Sequence, residues 1–501
     1  MDWTKILNGA KMIRNYRMSS QPRKDRRIAR LWLEKPVLKT ANLLPGTGLI
    51  VKVTSTTYNQ EDGEYEWPVV HIRAAIALEK PTHCISERKA KGDPILDICN
   101  EEIDKALGIG KIDIVVKESG EIFVYRELTF QMIPRLHQKA KEYPKYRVLS
   151  LFAGAGGMTS GFVNQGCESV MAVDIDDPEK NPLHYEQQSK EPSYSAWTIE
   201  TLQKNFPNSL VYWGDLRSLH NMYVKEADIV CVSPPCVEFS RLGARMEGLV
   251  EHFAFHIVRI ILASKARVIF FENVDAFYES ETYQNIKRML IPYFPHFYEE
   301  TLDSYDFGTL DTRRRGYVVA WREQMSFKMP DPREFSVLKR KKVVDYLHSV
   351  EDRKWQPIQG TTMGTFFGKH SEKYSHTGFT ADKNRTLVHL GDTKIACITK
   401  GYNKIQSSQS YIKHESEEKW SLFTPEELKD ILQYPSWFRM ADGIPNTRYY
   451  EILGNSVNVR VIELIASSIV NTLKWLDKNT KVAMESIGLT LQKNGQYSLV
   501  L

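Results

Sequence analysis

Short apolar runs recur along residues 146–322, separated by polar loops and amphipathic stretches. Runs rich in Val, Ile and Leu predict buried strands; they lie at 148–152, 170–173, 210–212, 229–232, 268–271 and 317–320. Stretches with helical periodicity, such as 252–264 and 283–291, lie between these runs. This alternation is typical of a mainly parallel, doubly wound α/β sheet. Ligands of such sheets bind beyond the carboxyl ends of the strands, so the residues just after each run are the candidates for chemistry.

The pattern differs in residues 1–145, where short strand candidates alternate with turn signals such as Pro45-Gly46 and Ser119-Gly120. We predict a β-rich domain there, with strands at 49–54, 68–73, 111–117 and 121–126. Two segments within it, 37–53 and 102–118, each run from a helix-like turn through a Gly-containing loop into a strand. They resemble the half-units of AbrB/SymE-type swapped-hairpin proteins, which implies DNA contact or dimerisation. Generic β-rich packing is the alternative.

Composition and charge narrow the class of protein. The 501 residues are 42% hydrophobic and carry a formal charge of +5, enough chain to bury at least two cores. Residues 1–50 hold 11 Lys and Arg against 3 Asp and Glu, a local charge of +8, which is typical of a surface that faces a polyanion; a solvated basic tail is the alternative. No apolar run approaches the ~20 residues that span a bilayer, so we expect a cytoplasmic protein with no membrane partner.

The six cysteines are scattered and form no paired C-x-x-C motif. We therefore expect neither a disulfide framework nor a metal site, and a functional cysteine should act as a thiol.

An adenosine-containing cofactor is indicated by the ends of the first three strands. The first is followed by a glycine-rich turn, Gly154, Gly156 and Gly157, which allows a ligand to approach the backbone closely. The second ends on Asp174, placed to accept from ribose hydroxyls, and the third on Asp215, placed to accept from an adenine amino group. Phe152 is a candidate to stack on adenine or, alternatively, a core residue.

The next two strand ends carry a thiol and a carboxyl group. Two prolines precede Cys236 and fix the backbone there. A lone cysteine after a strand is more often inert, as we expect for Cys231, but Cys236 lies in a polar loop at the functional edge. Glu272 and Asn273 follow four apolar residues. Partial burial would favour a protonated Glu272, whereas a cap of the next helix is the alternative.

Six motifs together resemble those of cytosine-5 DNA methyltransferases of bacterial or phage type. In chain order they are FAGAGG (152–157), SPPCVEFS (233–240), ENV (272–274), RRR (313–315), FTPEEL with ILQYPSWF (423–438) and GNSVNV (454–459). The resemblance covers about 146–475. It implies a Rossmann-like S-adenosylmethionine-dependent methyltransferase sheet with a small target recognition domain, preceded by the β-rich N-terminal domain.

This resemblance also implies a division of the chain. The predicted units are a basic N-terminal domain at 1–145, a catalytic domain at 146–322, a target recognition domain at 323–418, a return to the catalytic domain at 419–475 and a C-terminal tail at 476–501.

The chemistry that the resemblance implies begins with attack of the Cys236 thiolate on carbon 6 of cytosine, which activates carbon 5. Glu272 would hydrogen-bond or protonate ring nitrogen 3. Arg313 and Arg315 match the family's R-x-R pair and would hold the base oxygen, support the thiolate and contact phosphate; a solvated strand edge is the alternative. The loop 237–247 would close over a cytosine flipped out of duplex DNA.

The implied methyl donor is S-adenosyl-L-methionine, with S-adenosyl-L-homocysteine as product and no metal. Duplex DNA is the implied partner, bound by a monomer or by a dimer formed through the N-terminal domain. The implied cofactor-binding residues are Phe152, Ala153, Gly154, Gly156, Gly157, Asp174, Ile175, Asp215, Leu216, Pro234, Asn455, Ser456 and Val457.

Departures from the family pattern leave every proposed catalytic group in place. Val237 and Asp311 stand where Gln is common, Asp174 stands where Glu is commoner, and an insertion occupies about 177–195. A tRNA cytosine methylase of the same fold is the nearest rival, but that branch normally carries a Cys-Phe-Thr motif, which this sequence lacks. A protein that only binds DNA would be expected to have lost the cysteine or a cofactor glycine, and both are present.

Overall fold

The computed structural model describes most of the chain. The described residues are 2–23, 26–60, 63–88, 92–128, 133–134, 145–175, 197–235, 251–335, 340–367, 385–486, 489–491 and 497–499. Cys236, the loop 237–247 with Val237, and the insertion at 177–195 lie outside them.

The N-terminal part is β-rich, as predicted, and is built from two similar units. Its elements are α1 (Trp3–Leu7), β1 (Ala10–Arg17), β2 (Ser19–Arg23), β3 (Arg26–Leu33), α2 (Lys35–Thr40), β4 (Gly48–Gln60), β5 (Gly63–Ala74), β6 (His83–Cys84), β7 (Ser86–Arg88), β8 (Asp93–Ile98), α3 (Glu101–Leu107), β9 (Lys111–Lys117), β10 (Ile122–Arg126) and β11 (Ile133–Pro134). Hairpin β2-β3, α2 and hairpin β4-β5 form the first unit; hairpin β7-β8, α3 and hairpin β9-β10 form the second.

Equivalent strands of the two units pair with each other. β3 pairs antiparallel with β8 in one sheet, and β5 pairs antiparallel with β10 in the other. The two segments that look alike in sequence therefore occupy equivalent places in a pseudo-twofold arrangement. The likeness to AbrB/SymE-type proteins itself stays a prediction.

Part of the positive charge of this region is neutralised internally. Arg30 pairs with Asp97 at 2.7 Å, and Lys35 pairs with Asp93 at 3.1 Å. The local excess of +8 in the sequence therefore overstates the charge that residues 1–50 present to a partner.

The catalytic part has the predicted α/β organisation. Its elements are β12 (Arg147–Leu151), α4 (Gly157–Asn164), β13 (Glu168–Asp174), α5 (Trp197–Asn205), β14 (Leu210–Trp213), β15 (Ile229–Val232), α6 (Glu251–Ala263), β16 (Val268–Asn273), α7 (Asp275–Tyr278), α8 (Glu281–Leu290), β17 (His296–Asp303) and β18 (Arg314–Trp321). The strand order is β14-β13-β12-β15-β16-β18-β17. Pairing is parallel from β14 to β16 and antiparallel at β18 and β17.

The chain order reverses between β12 and β15, which is where ligands bind in open α/β sheets. Every strand of this sheet that the apolar runs predict is present. The pattern missed β17, because His296–Asp303 contains several polar residues and only one of its eight residues is buried.

Apolar side chains cover both faces of the catalytic sheet. Leu149 and Val230 pack on one face with residues of α6 and α8. Val148 and Cys231 pack on the other face with residues of the long C-terminal helix 459–486. Burial on both faces explains why these strands read as nearly continuous apolar runs.

The N-terminal and catalytic sheets are continuous. β1 pairs parallel with β14, with Met12 opposite Val211 and Arg14 opposite Trp213. On its other side β1 pairs antiparallel with β9. The strand β1 thus joins two regions that differ in sequence pattern, and within the described residues a single fourteen-stranded sheet runs through both.

The remaining elements lie beyond residue 321. They are β19 (Gln356–Pro357), α9 (Thr362–Phe367), β20 (Leu387–Val388), β21 (Tyr411–Lys413), β22 (Lys419–Ser421), α10 (Pro425–Ile431), α11 (Asn446–Gly454), α12 (Val459–Ser486), β23 (Leu489–Leu491) and β24 (Tyr497–Leu499). Strands β19 to β22 form a small sheet, mostly within the predicted target recognition domain at 323–418.

None of the described helices alone is long and apolar enough to cross a bilayer. As a pair bent by 43°, α11 and residues 459–480 of α12 meet that criterion, by length and composition alone.

Candidate active site

The glycine-rich turn between β12 and α4 has the backbone that the sequence predicts. Gly154 and Gly156 have φ angles of 54° and 92°, and Phe152 also lies in the left-handed region at 56°. A Cβ on Gly156 would lie 2.4 Å from the Phe206 ring, so glycine is required there. A Cβ on Gly154 would meet no atom within 4 Å. The backbone at Gly154 therefore borders open space that a ligand can occupy.

Two acidic strand ends lie beside this turn. The Gly154 amide donates to the Asp174 carboxylate at 2.8 Å, and the Ala153 amide donates to the Val173 carbonyl at 3.0 Å. The Gly214 amide donates to the Asp174 carbonyl at 3.0 Å, immediately before Asp215. Gly154, Asp174 and Asp215 are thus brought together, as the interpretation of an adenosine site requires.

Other contacts complete this end of the site. The Asp215 carboxylate accepts from the Arg217 guanidinium at 2.6 Å and from the Arg217 amide at 2.9 Å. The Phe152 ring lies edge-on to Phe253, with centroids 5.5 Å apart. Ile175 accepts through its carbonyl from the Trp213 indole at 3.1 Å, and Leu216 is buried.

A second group of side chains gathers at the ends of β15, β16 and β18. Glu272 is only 4% exposed. Its carboxylate accepts from the Ser233 hydroxyl at 2.7 Å and pairs with the Arg315 guanidinium at 3.4 Å. The Asn273 side-chain amide donates to the Pro234 carbonyl at 3.0 Å. The chain is therefore fixed two residues before Cys236, next to a buried carboxylate with a cationic partner.

Arg313 does not join this group through its hydrogen bonds. It is 3% exposed and donates to the carbonyls of Ile398, at 2.9 Å, Gly454, at 3.3 Å, and Ser456. These bonds connect the predicted recognition segment to the final motif. Contacts of Arg313 with a base or phosphate stay a prediction, whereas its position in the fold is that of a buried link between segments.

Asp311, one of the departures from the family pattern, supports the same link. Its carboxylate is fully buried and accepts from the Asn458 side chain at 2.7 Å and from the Thr309 hydroxyl at 3.2 Å. Burial raises its pKa to about 6, although the nearby Arg313 opposes that change.

The final motif returns to the glycine-rich turn. Asn455, Ser456 and Val457 lie between α11 and α12, and the Ser456 hydroxyl hydrogen-bonds the Tyr434 hydroxyl. A Cβ on Gly157 would lie 2.5 Å from the Ser456 oxygen. Close packing at this point therefore requires glycine at the start of α4.

Sequence reasoning missed four side chains of the site. Ser233 and Tyr434 lie inside quoted motifs, and Arg217 follows Asp215 by two residues, so proximity to a motif was the available signal. Phe253 lies in an amphipathic helix and gave none. Among the described residues no cluster of His, Cys, Asp and Glu is suited to hold a metal ion.

The chain resembles known proteins both in sequence and in fold. A family model for C-5 cytosine-specific DNA methylases matches residues 146–471. The chain belongs to this family. The resemblance seen in the motifs is thereby confirmed, and the match begins where the N-terminal region was predicted to end.

Individual methylases share about a quarter of their aligned residues with this chain. The chain is 27% identical over 345 residues to the type II methyltransferase M.MspI from Moraxella sp., covering 67% of this chain and 73% of that protein. It is 25% identical over 362 residues to the type II methyltransferase M.HhaI from Haemophilus parahaemolyticus, covering 67% and 98%. The S. pombe Dnmt2 methyltransferase structure is similar in fold, with a TM-score of 0.50, 21% identity and coverage of 66% of this chain and all of that one.

These findings establish the class of reaction that this methylase catalyses. It is an S-adenosylmethionine-dependent DNA cytosine-5 methyltransferase with a Rossmann-like α/β sheet.

Proposed function

We propose that this methylase forms a covalent adduct between Cys236 and carbon 6 of a cytosine flipped out of duplex DNA. The observation that carries the proposal is the cluster of Ser233, Glu272 and Arg315. Ser233 lies three residues before Cys236, and its hydroxyl and the Arg315 guanidinium fix the Glu272 carboxylate at the carboxyl ends of neighbouring strands. Both bacterial relatives described above are named as type II methyltransferases. A restriction-modification or orphan methylase follows from this likeness.

The cofactor that the family uses fits the residues at the other end of the site. Gly154 leaves room against the backbone, while Asp174 and Asp215 offer carboxylates to the ribose and adenine ends. Phe152, Ile175 and Leu216 are apolar residues that directly adjoin this turn and the two acids in sequence. Within the segment Asn455, Ser456 and Val457, the Ser456 side chain packs against Gly157 at the start of α4. S-adenosylmethionine would supply an electrophilic methyl group and leave as S-adenosylhomocysteine.

The protein's part begins with the Cys236 thiolate, whose electron pair forms the bond to carbon 6 while the 5,6 double bond opens toward carbon 5. Glu272 hydrogen-bonds or protonates ring nitrogen 3, which limits negative charge on the ring. Arg315 holds the Glu272 carboxylate in place. After carbon 5 has gained the methyl group, loss of its proton re-forms the double bond and expels the thiolate, so the enzyme is regenerated.

The test uses tritium-labelled S-adenosylmethionine with duplex DNA and with tRNA. Wild-type protein should label DNA, Cys236→Ser should abolish labelling, and Cys84→Ser, which changes an exposed thiol in β6, should have no effect. Labelled tRNA with unlabelled DNA would contradict the proposal, as would full activity of Cys236→Ser.

A second measurement isolates the covalent step. Fluorine at carbon 5 cannot leave as a proton does, so in the presence of S-adenosylmethionine duplex DNA that contains 5-fluorocytosine should trap the adduct as a denaturation-resistant complex. Cys236→Ser should form none. Active protein that yields no complex would exclude this mechanism.

A further inference from the structure

Strand β1 of the N-terminal region lies directly against the strand that carries one acidic end of the cofactor site. β14 leads into Asp215 and pairs with β13 on one side. On its other side it pairs with β1, whose Arg14 lies opposite Trp213. Because both edges of β14 are hydrogen-bonded, the position of Asp215 depends on a strand about 200 residues earlier in the chain.

Arg14 contacts the cofactor end through the Trp213 ring, and its guanidinium carbon also lies 4.8 Å from the ring centroid of Tyr16 on the same strand. Its guanidinium carbon lies 4.0 Å from the centroid of the Trp213 ring, within cation–π range. The Trp213 indole is 8% exposed and donates to the Ile175 carbonyl at 3.1 Å. Ile175 directly follows Asp174. Arg14 therefore acts on the residues after β13 through the ring on which it stacks.

Asn15 contacts the same place through the backbone. A Cβ on Gly214 would lie 2.9 Å from the Asn15 Cβ and 3.3 Å from the Asn15 amide nitrogen. Gly214 stands between Trp213 and Asp215, and its amide donates to the Asp174 carbonyl at 3.0 Å. The backbone that joins the two acidic strand ends thus packs tightly against Asn15.

Asn15 is itself held by two acidic side chains on the N-terminal side. Its side-chain amide donates to the carboxylates of Asp113, at 2.7 Å, and Glu127, at 3.1 Å. Asp113 is fully buried and also accepts from the Tyr223 hydroxyl at 2.7 Å. Tyr223 belongs to the catalytic part, so these hydrogen bonds fix β1 from both regions.

We propose that β1 contributes to the cofactor site. In this proposal Arg14 and Asn15 are positioning residues that hold Trp213 and Gly214 between Asp174 and Asp215. The inference rests on the proposed function in one respect: the ligand is the adenosyl cofactor bound at these two acids. It gives the N-terminal region a role in cofactor affinity that is independent of any contact with DNA.

The experiment measures binding of S-adenosylhomocysteine to the full-length protein by isothermal titration calorimetry. Arg14→Met removes the cation from Trp213 and should raise the dissociation constant about 5- to 10-fold, within the range of a partly buried cation–π contact. Arg14→Lys keeps a cation over the ring and should recover most of the affinity. In steady-state assays Arg14→Met should raise KM for S-adenosylmethionine and leave kcat and KM for DNA unchanged.

Arg30→Met is the matched control. Arg30 also stacks on a tryptophan, 4.6 Å from the Trp32 ring, but it lies on β3, in the other N-terminal sheet. It should bind S-adenosylhomocysteine as wild-type protein does, even if its melting temperature falls.

A second pair of variants tests Asn15. Gly214→Ala should weaken binding because the added methyl group meets the Asn15 Cβ. Asn15→Ala keeps that Cβ but removes the amide that donates to Asp113 and Glu127, and it should weaken binding as well.

The outcomes distinguish failure of the proposed cofactor site from failure of the role of β1. Folded wild-type protein that binds no S-adenosylhomocysteine would overturn the proposed cofactor site and this inference together. Wild-type binding that is unchanged in Arg14→Met, or weakened equally in Arg14→Met and Arg30→Met, would overturn this inference alone.

Discussion

Two buried carboxylates in the large sheet have different surroundings. Asp113, on β9 in the N-terminal region, is fully buried and accepts from neutral groups, the Asn15 amide and the Tyr223 hydroxyl. Glu272, at the end of β16 in the catalytic region, is almost as buried but faces a cation, Arg315, as well as the Ser233 hydroxyl. Burial alone therefore does not distinguish a structural carboxylate from a catalytic candidate, whereas the partners do.

The physical consequence is clearest at Asp113. Burial raises its pKa to about 7, and the hydrogen bonds from Asn15 and Tyr223 oppose that change only in part. No substrate is expected at this position, so its protonation should affect stability rather than catalysis. A change at Glu272 should instead affect catalysis, because this residue lies at the carboxyl end of a strand beside the chain that leads to Cys236. Three substitutions test this contrast.

Glu272→Gln should have the largest effect. Loss of a carboxyl group that can protonate the ring should lower kcat by about 10²- to 10⁴-fold, measured as tritiated methyl transfer to duplex DNA. Binding of S-adenosylhomocysteine should be unchanged. Glu300→Gln is the control, since Glu300 is exposed on β17 and lies two strands away. Equal activity in the two variants would remove Glu272 from the mechanism.

Asp113→Asn should change the stability of the folded protein rather than its rate of methyl transfer. Because the folded pKa of about 7 exceeds the unfolded value of 3.8, folding binds a proton between these values. The stability that protonated Asp113 contributes is fully present below about pH 4 and is lost as the pH rises through 7. Over this range the free energy of unfolding of wild-type protein should fall relative to the variant by on the order of 4 kcal/mol.

Chemical denaturation at pH 4.5 and pH 8, followed by tryptophan fluorescence, measures that difference. At pH 8 the Asn variant should be the more stable protein and should retain its methyl-transfer activity. Parallel stability curves for the two proteins would show that Asp113 does not titrate in this interval.

Arg315→Lys should have the smallest effect of the three. A lysine keeps the charge but cannot reproduce the planar guanidinium beside Glu272, so we expect kcat to fall about 10-fold. Arg314→Lys, at an exposed neighbour that pairs with Asp275, should stay within about 2-fold of wild type. If kcat fell further in Arg314→Lys than in Arg315→Lys, the Glu272–Arg315 pair would not be the ion pair that supports catalysis.

Features that depend on local sequence could be predicted from the sequence alone. Every catalytic strand except β17 was found because it is buried on both faces and therefore forms a local apolar run, such as 229–232. The ends of these strands then located Gly154, Asp174, Asp215 and Glu272 without reference to any distant contact.

Features that depend on distant segments could not be predicted in this way. Arg313 looked like one half of an R-x-R pair, yet its acceptors at Ile398 and Ser456 lie 85 and 143 residues further along the chain. Strand β1 contains only Met12 and Ile13 as fully buried residues and looks like part of a basic segment. Its pairing with β14 leaves no local signature in either strand.

The pairing of β1 with β14 has a further consequence for synthesis on the ribosome. Met12 and its partner Val211 are separated by 199 residues, and translation at 5–20 residues per second would take roughly 10 to 40 s to cover that distance. During this interval one edge of β1 has no partner strand and offers its amides and carbonyls to other chains. Nascent chains of this methylase should therefore be most prone to aggregate before residue 213 has emerged.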